Sequence, residues 1–81
     1  MGGIRSEVTW FAEEMEKKLR ENDHKGGWED CDILWLYGRL LEEVDELAAA
    51  EGDDIVREAA DVANFAMMIA HLSRKRTAVT A

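Results

Sequence analysis

Apolar residues recur at intervals of three and four in three separate stretches of this chain, the period that lines side chains along one face of an α-helix. In the first stretch, Ser6 to Glu21, the stripe is Val8, Phe11, Met15 and Leu19. The second runs from about Asp32 to Glu51 and sets Ile33, Leu36, Tyr37, Leu40, Val44 and Leu47 on one side. The third turns Ile55, Val62, Phe65, Ala66, Ile69 and Leu72 inward over roughly twenty residues. Loop-forming residues separate the stretches. Asn22, Asp23, Gly26 and Gly27 fall in NDHKGGW, after which Asp30 or Asp32 can cap the second helix; Gly52 stops that helix and Asp53 or Asp54 caps the third. So short a connection makes helices two and three an antiparallel hairpin.

Composition agrees with this pattern. The chain has no proline, is rich in Ala, Leu, Glu and Met, and shows no repeat or low-complexity segment, so it reads as one all-α domain over residues 1–81. Eighty-one residues bury a limited core, and three broad apolar stripes are more than one chain covers. A helical hairpin bundle completed by oligomerisation, as a homodimer or homotetramer, is the expected architecture.

Charge narrows the class of partner. Eighteen acidic against ten basic residues give a net charge of −8, which argues against nucleic acid, because a phosphate backbone rewards a basic surface. An anionic ligand would need metal ions to bind. The single cysteine, Cys31, offers neither an internal disulfide nor a zinc cluster, and reads as a small half-buried residue near a helix start. No apolar run approaches the roughly 20 residues of a membrane span, and the first residues lack a signal-peptide plan. A cytoplasmic protein without a membrane partner is expected.

Two acidic pairs change the picture. In EEVDELAAAEGDDIVREAADVANFAMMIA, Glu43 and Glu46 are three apart on helix two, and Glu58 and Asp61 are three apart on helix three. At about 100° per residue, Glu43 falls at the margin of its apolar stripe and Glu46 lies further round, beside Trp35 and Arg39. Glu58 projects between Val62 and Phe65, and Asp61 between Phe65 and Met68, both on the apolar side. A buried carboxylate without a partner costs several kcal/mol, so these positions imply a cation. Arg39 and Arg57 can each neutralise one acid. Four carboxylates converging from two antiparallel helices suit a hard divalent ion with oxygen ligands, magnesium first and manganese second.

The arrangement Glu43-x-x-Glu46 followed by Glu58-x-x-Asp61 resembles the signature of the MazG-like all-α nucleoside triphosphate pyrophosphohydrolases. The likeness extends from the first helix through KGGW and LLEEVDEL to REAADVANFAMMIA, and the KGGW and DVANFAMMIA wording is similar to small members that act on purine deoxynucleotides. What it implies is magnesium-dependent cleavage of a nucleoside triphosphate between its α and β phosphates, giving a nucleoside monophosphate and pyrophosphate in the service of nucleotide-pool cleansing. The metal ligands would be Glu43, Glu46, Glu58 and Asp61. Glu42 would be an extra carboxylate supporting water or an outer metal shell, although its helix angle points it away from the core, where a solvated acid is the alternative.

Further candidates come with competing structural readings. Asn64 can hold a sugar hydroxyl or base edge, or it can be an interface asparagine. Lys25 and Trp28 flank the glycines of KGGW, where a cation can meet phosphate and an indole can stack on a base; a loop-anchoring tryptophan is the alternative. His24 reads as solvated, and Trp10, Trp35 and Tyr37 read as packing residues. Met67 and Met68 read as core filler, His71 lacks the partner spacing of a ligand, and phosphate contact by the Ser73–Arg76 end is the lesser reading beside dipole compensation. No P-loop, GxSxG or Cys/His pair is present, so a glycine phosphate cradle and covalent catalysis have no support. The reading from a different class is a non-catalytic helical oligomer or interaction module, its acids holding a structural metal or pairing with Arg39 and Arg57.

Overall fold

The computed structural model describes residues 3–80, with side chains through residue 76. It contains three α-helices, α1 (Ser6–Asn22), α2 (Ile33–Ala49) and α3 (Asp54–Thr80), and a single 3₁₀ turn over Asp23–Lys25. There is no strand among the described residues. At 27 residues α3 is longer than its apolar pattern alone suggests. Its polar end is helical up to Thr80 because nothing in SRKRTAVT breaks a helix: the segment has neither glycine nor proline.

The breaks fall where backbone chemistry places them. Gly52 has φ +59°, the left-handed conformation that ends helices and that a Cβ disfavours, so α2 stops and the chain reverses within a few residues. The amides of Asp54 and Ile55 then bond to the carbonyls of Glu51 and Gly52, starting α3. Gly26, at φ +94°, redirects the chain after the 3₁₀ turn. Asp32 stands at the N-cap position of α2 but makes no side-chain capping bond.

α3 packs against both other helices, whereas α1 and α2 make no close backbone approach to each other. The result is one layer in the order α1, α3, α2, a slab of 44 × 37 × 24 Å. Leu36 of α2 and Met68 and Leu72 of α3 are the buried centre, with Leu19, Trp28, Cys31, Ile33, Phe65, Met67 and Ile69 packed around them. Both outer helices run antiparallel to α3. Along one seam Arg57, Asp61 and Asn64 of α3 meet Glu21, Lys18 and Met15 of α1 in reversed order.

A single layer covers less than the sequence pattern allots to the core. Val8, Tyr37, Val44, Ile55 and Ala66 are exposed rather than inward-facing. The packing tryptophans and tyrosine expected at Trp10, Trp35 and Tyr37 are likewise more than half exposed. The cause on α2 is angular. Leu36, Leu40, Glu43 and Leu47 face α3, and Tyr37 and Val44 each lie about 100° round from that line, where no helix of this chain stands. No described helix is long and apolar enough to cross a membrane.

Candidate functional site

The hairpin brings three of the four expected carboxylates together. One oxygen each from Glu43 of α2 and Glu58 and Asp61 of α3 lie within 4.8 Å of one another. Glu43 is buried, only 7% exposed, because it occupies a position in the line of leucines that α2 turns toward α3. Its Oε2 and the Oε2 of Glu58 are buried without a hydrogen-bond partner. Orphaned, desolvated carboxylate oxygens are costly, and groups of this kind accept a cation or ordered water. Three oxygen donors at this separation suit a hard divalent ion better than a soft one.

The protein supplies counter-charges at two of the three acids. Arg39, one turn before Glu43, donates from Nη2 to Glu43 Oε1 at 3.0 Å and also pairs with Glu42. Its guanidinium lies 5.1 Å from the centre of the Phe65 ring, which holds it in place. On the opposite side Lys18 of α1 reaches Asp61 Oδ2 at 3.5 Å and Glu21 Oε1 at 3.4 Å. Glu58 makes no ion pair among the described residues. Arg57, expected to neutralise one of these acids, instead grips Glu21 through two bonds of 3.1 and 3.3 Å, because the antiparallel α1 brings that carboxylate alongside it.

Burial dominates the electrostatics. It pushes the Glu43 carboxyl up to about 7, helped by the hydrogen bond and charge of neighbouring Glu46 and by the charge of Asp61, with Arg39 opposing. Burial also raises Glu58, with Asp61 and Glu46 adding to it. Asp61 is raised by burial against the pull of Lys18. Glu46 acts here as a nearby charge; it is exposed and stands outside the close group of three.

Between α1 and α2, above α3, lies a cleft of about 460 Å³ with Glu43 and Asp61 in its wall. Lys18, Lys25 and Arg39 supply cations along it, and Trp28, Trp35 and Phe65 supply aromatic surface. Trp28 stands edge-on to His71 with ring centres 5.3 Å apart, and Glu29 bonds Lys75 at 2.7 Å, so α3 anchors the loop that closes the cleft. Trp28 is thus a loop anchor and a cleft residue at once. Asn64 is buried and also borders the cleft, but its Nδ2 donates to the Met15 carbonyl at 3.0 Å, tying α1 to α3, while its Oδ1 is buried without a partner. Glu42 is exposed on the far side of Arg39, as its helix angle indicates. His24 is exposed.

Lys18 is the site residue that sequence reasoning missed. It stands beside Leu19 of the α1 stripe, and nothing local distinguishes it from the solvated Lys17; only the register of α1 on α3 brings it to Asp61. No protein-family profile, curated protein or solved structure matches this chain.

Proposed function

We propose that the cleft binds a nucleoside triphosphate in complex with magnesium, or manganese, and that the protein hydrolyses it to a nucleoside monophosphate and pyrophosphate. The observation that carries this reading is the group formed by Glu43, Glu58 and Asp61, two of its oxygens buried and unpartnered, of which Glu43 and Asp61 stand in the wall of a cleft that also holds three cations and three aromatic rings. The acidic spacing shared with the MazG-like pyrophosphohydrolases supports the same reading, as does their preference, in small members, for purine deoxynucleotides such as dATP or dGTP.

In this scheme Glu43, Glu58 and Asp61 hold the cation, and Glu46 adds charge and a ligand from the exposed side. Held by these residues, a divalent ion would supply charge screening for the triphosphate and a lowered pKa for an attacking water. Lys18, Lys25 and Arg39 meet phosphate oxygens along the cleft, and Trp28 and Trp35 offer faces to the base. The proton that leaves the water would pass to an ionised carboxylate beside the cation, which burial makes a stronger proton acceptor than a solvated one. The oligomer expected from the apolar stripes, two or four copies of the chain, belongs to the same proposal.

The test is pyrophosphate release from a panel of nucleoside triphosphates with and without magnesium, run in oxygen-18 water. Label in the monophosphate and no orthophosphate is the expected outcome; label confined to pyrophosphate, or no turnover of any nucleotide, overturns the reading. Glu58→Gln should abolish turnover together with the rise in melting temperature that magnesium produces. A second reading, an interaction module whose acids are satisfied internally, draws on one specific observation: Arg39 and Lys18 already pair with two of the three acids. It requires that magnesium leave the melting temperature unchanged.

A further inference from the structure

The loop of residues 26–32 is fastened to α3 by side chains, and one of them is a histidine. Among the described residues the loop's backbone bonds are local: the Gly26 amide donates to the Asp23 carbonyl at 3.2 Å and the Cys31 amide to the Trp28 carbonyl at 3.0 Å. Its hold on α3 comes from two consecutive residues. Glu29 accepts from Lys75 Nζ on Oε2 at 2.7 Å and has His71 Nε2 at 3.7 Å from Oε1. Trp28, half-buried in the cleft wall, stands edge-on to the His71 ring. On the other nitrogen of that ring, Arg74 donates from Nη2 to Nδ1 at 3.0 Å. Spacings of three and four put His71, Arg74 and Lys75 on one side of α3. Glu29, Arg74 and Lys75 are thus the charged groups gathered at His71, and neither α1 nor α2 adds an ion pair to it among the described residues.

From this geometry we infer that His71 makes the loop a pH-graded strap, which acid seats against α3, fixing Trp28 in the cleft wall, and which loosens as the imidazole loses its charge. A guanidinium can only donate, so in the neutral ring Nδ1 accepts from Arg74 and the proton stands on Nε2, toward Glu29. A second proton must enter at Nδ1, against the guanidinium. It breaks the Arg74 contact, but that contact lies within α3 and exists whether the loop is seated or lifted. The Glu29 contact exists only in the seated loop, and protonation turns it into an attraction between opposite charges. The balance therefore favours seating. Lys75 first, and His71 after it, hold the Glu29 carboxyl below the usual range, so Glu29 stays ionised while a histidine changes charge. The added hold is complete below the histidine range and is lost as pH rises through it. His71 is a positioning residue in this scheme, acting through Glu29 and Trp28 on the shape of the cleft mouth.

Acrylamide quenching of Trp28 tests the strap with neither nucleotide nor metal present, so it stands or falls apart from the proposed activity. The full chain carries Trp10→Phe and Trp35→Phe, two indoles that are more than half exposed, which leaves Trp28 as the reporter. The expected result is a quenching rate constant, taken from lifetimes, at least about twofold lower at about pH 5.5 than at about pH 8, with unchanged helical circular dichroism. Glu29→Gln should flatten this profile, because His71 then titrates without pulling on the loop, and His71→Gln should flatten it too. Lys75→Met leaves His71 as the remaining cation on Glu29 and should steepen it. If the double tryptophan variant loses helix, the protection factor of the Cys31 amide in the unaltered chain carries the same test and should be higher in acid. A flat or reversed profile, or a slope that survives Glu29→Gln or His71→Gln, would overturn the inference, the second by passing the effect to the buried Glu43 in the same cleft wall.

Discussion

Glu43 is an acid folded into a line of leucines, and its protonation follows from that position. Its carboxyl is raised in the folded chain from 4.5 to about 7, so the folded state favours the protonated form. The stability this contributes is fully present below the ordinary carboxyl value and is lost as pH rises through about 7. With divalent cations chelated, the melting temperature should therefore fall between about pH 5 and pH 8, and magnesium, which binds the ionised form, should remove most of that fall. A scan that is flat in chelator would contradict the burial of Glu43. Lys18 is its counterpart on the other flank. The ammonium competes with any ion for Asp61, so Lys18→Met should tighten manganese binding, by up to roughly tenfold, the equivalent of about 1.4 kcal/mol. Isothermal titration reads this directly, and unchanged affinity would place Lys18 outside the cation's reach.

Helix by helix, the sequence disclosed different amounts. The breaks at KGGW and Gly52, the hairpin and the approach of Glu43 to Glu58 and Asp61 all follow from local signals, turn chemistry and helix angle. What period alone could not separate were the two apolar lines of α2, one toward α3 and one outward, because together they read as one broad stripe. Nor could it give the register of α1, which depends on residues 36 to 49 positions apart. Asn64 and Met15 are 49 residues apart, and their bond fixes that register. Asn64→Asp tests it. An aspartate cannot donate to the Met15 carbonyl and adds a buried charge beside Asp61, so the variant should lose about 3 kcal/mol of stability at neutral pH and recover part of it in acid. Urea unfolding at two pH values measures both effects; equal stability to wild type would mean α1 is held elsewhere.

At the scale of the whole molecule, α3 packs against both other helices, and among the described residues those two make no close backbone approach to each other. That arrangement has a consequence for how the protein opens. Protection of an amide against solvent exchange reports the free energy of exposing it, and units held by fewer neighbours open first. α1 can lift from α3 without disturbing the α2–α3 hairpin, and its fastenings are Asn64, Lys18 and the Arg57–Glu21 pair, with Leu19 at the core's edge. Hydrogen–deuterium exchange should resolve two steps in place of one cooperative opening: an early class of amides confined to α1 and the 3₁₀ turn, and a later one in the middle of α3. Since lifting α1 also removes one wall of the cleft, a ligand seated there should slow the early class selectively. The protein would then carry its own entry gate as a local unfolding equilibrium.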